Sequence, residues 1–199
     1  MKHPDHISKL ALPDPQTLSA ETLAYFDVCR EKLGMVPNVL LGYSANEAKL
    51  NNFSRFYNEL MLGSSLLTKL EREMIATVVS AFNRCFYCLA AHGQAVRELS
   101  GDPELGELMA FNYRAAVLSP RHRAMLDFAW KLTEAPNTVG DADRDALRQA
   151  GFCDAEIFDI TDVAAFFNYT NRVAHGLEMV PNREYHAMNR QAPSAARFT

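Results

Sequence analysis

No apolar run in this chain of 199 residues is long enough to cross a bilayer, and Met1-Lys-His-Pro-Asp-His6 carries no apolar leader segment. Both absences point to a soluble protein of the cytoplasm. Basic tracts are missing as well. Twenty Lys and Arg stand against twenty-four Asp and Glu, a formal net charge of −4, so neither nucleic acid nor an anionic membrane is an expected partner. Cysteine is scarce: Cys29, Cys85, Cys88 and Cys153 are too few for the disulfide framework of a secreted chain. Convincing apolar–polar alternation is absent too, which argues against strands.

What is present is helical. Hydrophobic residues make up 48% of the chain, enough to bury the core of one domain over residues 1–199. The expected fold class is all-α, a multi-helix bundle. Ser19 to Leu33 reads as a helix closed by Gly34, with a loop at Met35-Val-Pro-Asn38. Apolar Ala48, Phe53, Phe56, Tyr57, Leu60 and Met61 predict a second helix ending near Leu62. Thr68-Lys-Leu-Glu71 fits a capping box that opens a third. Asp102-Pro103 and Ser119-Pro120 each supply an N-cap with proline behind it, opening helices that end near Tyr113 and Thr133. Ala135 to Gly140 reads as a loop, Arg144 to Gln149 as a short helix before Gly151, and a long helix starts near Asp154. The segment after Val180 is polar and is expected to fray at its end.

The chemistry concentrates between residues 73 and 92. Cys85 and Cys88 are three positions apart, and His92 follows Cys88 by four, so all three can share one helix face. A thiol attacks as thiolate and needs a neighbouring base or cation to become one. The second thiol can then capture the oxidised first as a disulfide. Glu73 cannot join them along a straight helix. Twelve residues at a rise of ~1.5 Å place it about 18 Å from Cys85 along the axis. A reversal at Asn83-Arg84 would bring Glu73 beside His92, where the carboxylate would fix the imidazole tautomer and make it a better base. Helix position favours Cys85 as the nucleophile, because a first-turn thiol feels the positive end of the dipole. Proximity to His92 favours Cys88, and an actual proton acceptor carries more weight. The expected roles are Cys88 as nucleophile, Cys85 as resolving thiol, and His92 with Glu73 as proton relay.

Glu73, Cys85, Cys88 and His92, within the segment from Leu70 to His92, resemble the core motif of the alkylhydroperoxidase D-like members of the carboxymuconolactone decarboxylase superfamily. Val36-Pro-Asn38 and Asn171-Arg-Val-Ala174 resemble the peroxidase-related subgroup, extending the similarity over most of the chain. The resemblance implies an all-helical fold, a homo-oligomer, and reduction of hydrogen or organic peroxides through a CxxC disulfide. It also implies a sulfenic acid on the second cysteine, here Cys88. The partner so implied is an external dithiol, either a reducing protein or a lipoyl-type group. One departure stands out. Characterised alkylhydroperoxidases carry a histidine directly before the second cysteine, where this chain has Tyr87, so the relay, the rate or the substrate differs from theirs. The decarboxylase branch lacks the cysteine pair, which makes a lactone decarboxylase the weaker enzymatic reading.

Other readings compete for the same residues. A dithiol/disulfide oxidoreductase or a redox sensor would use both thiols without peroxide turnover. Structural zinc could take Cys85, Cys88 and His92 with Glu73 or Cys153 as fourth ligand, but no second ligand pair exists, and neither a metal nor a bound cofactor is expected. Both cysteines could also be small core hydrophobes. Cys29 and Cys153 are expected to be inert, His3, His6 and His186 solvated, and Trp130 a packing residue. Tyr87 either lines the pocket beside Cys88 or packs against a neighbouring subunit. The 12, 3, 4 spacing recurs 83 residues later as Glu156, Asn168, Asn171 and His175, suggesting a degenerate second hairpin near 141–180 beside the CxxC half near 46–100.

Overall fold

A computed structural model describes residues 3–191. All regular structure among them is helical, as the sequence predicts. The principal helices are α1 (Ala20–Leu33), α2 (Asn38–Tyr43), α3 (Glu47–Tyr57), α4 (Lys69–Phe82), α5 (Phe86–Ser100), α6 (Pro103–Asn112), α7 (Pro120–Glu134), α8 (Asp141–Gln149) and α9 (Asp154–Gly176). None of the described helices is long and apolar enough to span a membrane.

The predicted caps form. Ser19 Oγ accepts the Thr22 amide at the start of α1, and Gly34 closes that helix in the left-handed region at φ 73°. Thr68 Oγ1 accepts the Glu71 amide at 3.1 Å while Glu71 accepts the Thr68 amide at 2.8 Å, a complete capping box for α4. Asp102 and Ser119 cap α6 and α7 with proline behind each. The second predicted helix is α3 continued by a π turn over Asn58–Leu62. Buried Arg72 holds that wide turn, donating to the carbonyls of Leu60 and Gly63 at 2.9 and 3.1 Å.

Helix α4 is the centre of the molecule. Every side chain from Glu71 to Ser80 is buried, and α5, α6, α7 and α9 all pack against it. Met74, Ile75, Val78 and Val79 meet Met125, Ile160, Val163 and Phe167 in the main core. A second cluster holds α1 to α2 and α3 through Phe26, Leu40 and Leu50.

Two expectations need correction. Helix α2 was not expected at all, because its first amides are satisfied from afar: Asn182 Oδ1 accepts from Asn38 N and Tyr87 Oη from Val39 N. The segment around and after Val180 is tied to the helices before it ends. Val180 N donates to Ile7 O, and Arg97 donates to the carbonyls of Tyr185 and Met188. Its expected frayed end, over residues 192–199, lies outside the described residues. Finally, the Glu73–Cys85–Cys88–His92 hairpin arrangement is not repeated at the echo positions: Glu156, Asn168, Asn171 and His175 all lie on the unbroken helix α9. Glu156 instead accepts the Cys153 amide at 2.8 Å and pairs with Arg121 at 2.6 Å, closing the start of that helix.

Candidate active site

The chain reverses where the spacing demanded. Asn83 closes α4 with helical angles, and Arg84 takes the left-handed turn at φ 53°. The Cys85 amide reaches back to Ser80 O at 2.9 Å, so the turn satisfies carbonyls at the end of α4. The residue that turns is therefore arginine, and the N-cap of α5 is Cys85. With α5 running antiparallel beside α4, Glu73 Oε2 meets His92 Nδ1 at 2.7 Å, both side chains buried. A carboxylate can only accept, so Nδ1 carries the proton and Nε2 of the neutral ring is left as the acceptor. Phe167 meets the His92 ring edge-on at 4.5 Å between centroids.

Both sulfurs are enclosed: Cys85 is 1% and Cys88 4% exposed. Val39, Tyr43, Ala91, Ala174 and Met179 close an apolar wall around them, drawn from α2, α5, α9 and the chain after it. The two thiols share their protons unequally. Cys85 is brought down to about 7, chiefly because the Cys88 thiol donates to it, against the opposing cost of burial. The Cys88 backbone amide and the nearby imidazoles of His175 and His92 act in the same direction. Cys88 is pushed well above the usual thiol range, first by that same hydrogen bond and then by burial. Hydrogen bonds from Asn171 and Ser80 pull it back. The lowered thiol is Cys85, at the start of α5, where the helix dipole favours a thiolate.

The four residues singled out in the sequence thus lie at one place. Ser80, Asn83, Asn168 and Asn171 form a hydrogen-bonded group at the end of α4. Asn171 Nδ2 donates to Ser80 Oγ at 3.0 Å, and Asn83 Nδ2 donates to Asn171 Oδ1 at 2.9 Å and to Asn168 Oδ1 at 3.1 Å. Ser80 was missed; its only signal is a polar side chain in the otherwise apolar run before Phe82. Asn171 and His175 were picked out by the spacing echo, and α9 delivers them to the thiols without any duplication. Tyr87 packs beside Cys85 and Cys88 in the same apolar cluster; its hydroxyl accepts from Val39 N at 3.1 Å, and burial raises it well above the ordinary phenol.

Cys153 is exposed at the far end of α9, and among the described residues no three His, Cys, Asp or Glu are gathered where they could hold a metal. A cleft of about 360 Å³ lies along the N-terminal segment, lined by His3, His6, Asn38, Asn182 and Arg183 among others, and none of the four site residues borders it.

An uncharacterized peroxidase-related protein from Silicibacter sp. TM1040 is 57% identical, with a TM-score of 0.92 over 96% of this chain and 100% of that one. The carboxymuconolactone decarboxylase family is itself matched over residues 50–131, which span α4 and α5 and carry all four site residues. This chain belongs to that family. Within the family its neighbours are the peroxidase-related proteins with an alkylhydroperoxidase AhpD core. One from Ralstonia eutropha JMP134 is 38% identical, with a TM-score of 0.92 over 96% of this chain and 100% of that one. The fold extends further, to a protein of unknown function from Agrobacterium tumefaciens at 24% identity, with a TM-score of 0.60 over 68% of this chain and 92% of that one. No curated protein matches the chain.

Proposed function

We propose that this protein is a thiol-dependent peroxidase that reduces hydrogen or organic peroxides with the Cys85–Cys88 pair. The observation that carries the reading is a buried dithiol holding one thiol at about 7, beside a Glu73–His92 pair at 2.7 Å. In the attacking state the shared proton moves from Cys88 to Cys85. The Cys88 thiolate takes the terminal peroxide oxygen as the O–O bond breaks, and the proton held on Cys85 passes through His92 Nε2 to the departing alkoxide or hydroxide. Cys85, again a thiolate, then displaces hydroxide from the Cys88 sulfenic acid, forming the Cys85–Cys88 disulfide, and solvent protonates the hydroxide to water. Two electrons have passed from the dithiol to the peroxide, and an external dithiol must restore them. Glu73 holds His92 in the tautomer that keeps Nε2 free for this exchange.

Enclosure of the sulfurs supports a small oxidant over a protein disulfide as the electron acceptor, since a folded partner cannot reach a sulfur that is 1% exposed. A slender lipoyl-type dithiol suits the reductive half for the same reason. Exposed Phe111, Val117 and Phe158 support association into a homo-oligomer.

The test is peroxide consumption with a dithiol reductant in the wild type, Cys88→Ser and Cys85→Ser. Expected are loss of turnover in both variants and a trappable sulfenic acid at Cys88 in Cys85→Ser. Reversible disulfide formation without peroxide turnover in the wild type would replace this reading with that of an oxidoreductase or sensor.

A further inference from the structure

The α4–α5 reversal turns on a residue poorly suited to it. Where α1 and α5 close, glycine takes the left-handed position, Gly34 at φ 73° and Gly101 at φ 67°. Helix α4 closes instead through Arg84 at φ 53°, and the Cβ of an L residue makes those angles unfavourable. Two local bonds complete the turn, Arg84 N to Ala81 O at 3.1 Å and Cys85 N to Ser80 O at 2.9 Å. Both are backbone bonds of the kind that glycine makes equally well at a helix end, so they do not explain how arginine is held there.

The added support comes from α9. Asn168, Asn171 and His175, spaced three and four apart on that helix, all bond to the end of α4. Asn83 Nδ2 donates to Asn168 Oδ1 at 3.1 Å and to Asn171 Oδ1 at 2.9 Å, while Asn171 Nδ2 donates to Ser80 Oγ at 3.0 Å. The Asn83 carbonyl accepts from His175 Nε2 at 3.0 Å. Asn168 is itself anchored: its Nδ2 donates to Thr133 Oγ1 and to the Ala164 carbonyl, each at 3.0 Å, and Arg172 donates to its Oδ1 at 3.0 Å. The residues gripped are Ser80, whose carbonyl takes the Cys85 amide, and Asn83, whose peptide leads into Arg84. Asn171 is 0% exposed with both ends of its amide bonded, a buried clamp across residues 80 and 83.

We infer that Asn171 is a positioning residue for the dithiol: with His175 it holds the last turn of α4 against α9, keeps Arg84 left-handed, and so fixes Cys85 at the N-cap of α5, one turn from Cys88. Cys85 comes directly after the turning residue, whereas Cys88 lies inside α5. A change at Arg84 therefore moves the first sulfur relative to the second. Holding the two together raises the effective concentration of one thiol against the other and favours the disulfide over the open dithiol. The inference rests on the peroxidase reading only for its place in turnover, where the clamp speeds closure of Cys85 onto the Cys88 sulfenic acid.

The experiment equilibrates the protein with mixtures of reduced and oxidised glutathione and reads the Cys85–Cys88 peptide by mass spectrometry after acid quench and alkylation. Two electrons pass from the dithiol to oxidised glutathione, leaving the protein disulfide and two reduced glutathiones. Asn171→Ala is expected to move this equilibrium about tenfold toward the dithiol, the equivalent of about 30 mV. His175→Ala removes one surface bond to the Asn83 carbonyl and is expected to move it about threefold in the same direction. It carries the test if circular dichroism shows Asn171→Ala to be unfolded. Arg84→Gly, added to either variant, is expected to restore most of the shift, because glycine takes left-handed angles without strain. Gly106→Ala, which crowds α5 against α6, is the control for lost stability and should leave the equilibrium in place. An unmoved equilibrium in the folded variants overturns the inference, as does a shift that Arg84→Gly fails to restore or that Gly106→Ala reproduces. Peroxide turnover is read separately in the wild type. A shifted equilibrium with no turnover would uphold the clamp and retire the peroxidase reading, whereas turnover with an unmoved equilibrium would do the reverse.

Discussion

Glu73 and His92 are nineteen positions apart in the chain and 2.7 Å apart in space, joined through Oε2 and Nδ1 across the α4–α5 hairpin. Both side chains are largely buried, so water competes little for either. The pair works only while the Arg84 turn holds the two helices in register.

Replacing Glu73 with Gln keeps the shape and removes the charge and the demand for a proton on Nδ1. Peroxide turnover is expected to fall about a hundredfold, in the range of a lost acid–base contribution. The alkylation midpoint of Cys85 should barely move, since His92 is the weakest of the influences named for it. Steady-state kinetics and alkylation against pH read the two separately; undiminished turnover would remove Glu73 from the mechanism.

Cys85 should be alkylated as a thiolate with a midpoint of about 7. The sign is that of a lowered acid: reactivity climbs as pH rises through that value and is lost below it. Because the Cys88 thiol is the largest cause, Cys88→Ala should move the midpoint up toward the free-thiol range. Cys88→Ser keeps a hydroxyl donor and should move it less. Equal midpoints in the two variants would contradict the shared proton.

Tyr87→Phe should leave the relay intact, because the Tyr87 hydroxyl serves the Val39 amide rather than the thiols. The unpaired amide is expected to cost about 1 kcal/mol of stability and to loosen α2 over the sulfurs. Faster alkylation of Cys85 with near-normal peroxide turnover is the expected result. A large loss of turnover in the folded variant would restore Tyr87 to the proton path.

Close approach of α5 and α6 depends on Gly106. A Cβ there would lie 2.6 Å from Arg97 Cγ and 2.7 Å from the Gly93 carbonyl, and the backbone carbonyl cannot step aside. Gly106→Ala is expected to destabilise the protein by about 1–3 kcal/mol in urea unfolding. Gly93→Ala is the control. Its Cβ would meet ordinary contacts at 3.8 Å and beyond, so the change should be neutral or stabilising by up to about 1 kcal/mol.

Much of the fold was legible because its signals are local. Ser19, Thr68, Asp102 and Ser119 each bond an amide two or three residues ahead, so the start of each helix is written where it occurs. Helix α2 was illegible for the opposite reason. Its capping atoms, on Tyr87 and Asn182, lie 48 and 144 positions away. The spacing echo at Glu156, Asn168, Asn171 and His175 shows the limit of pattern: it found residues that matter but gave them the wrong architecture, because a spacing of 12, 3, 4 fits a hairpin and a straight helix equally well.

The amino-acid sequence by itself determined the helical class, the reversal at Asn83-Arg84 and the meeting of Glu73 with His92, since each follows from period, capping and reach along one short stretch. Tertiary structure alone decided which thiol is lowered and which side chains surround the pair. Those depend on α9 laying Asn171 against Ser80, and on α2 and Met179 shutting water away from both thiols. Burial and hydrogen-bond direction are properties of the assembled helices, and no spacing along the chain encodes them.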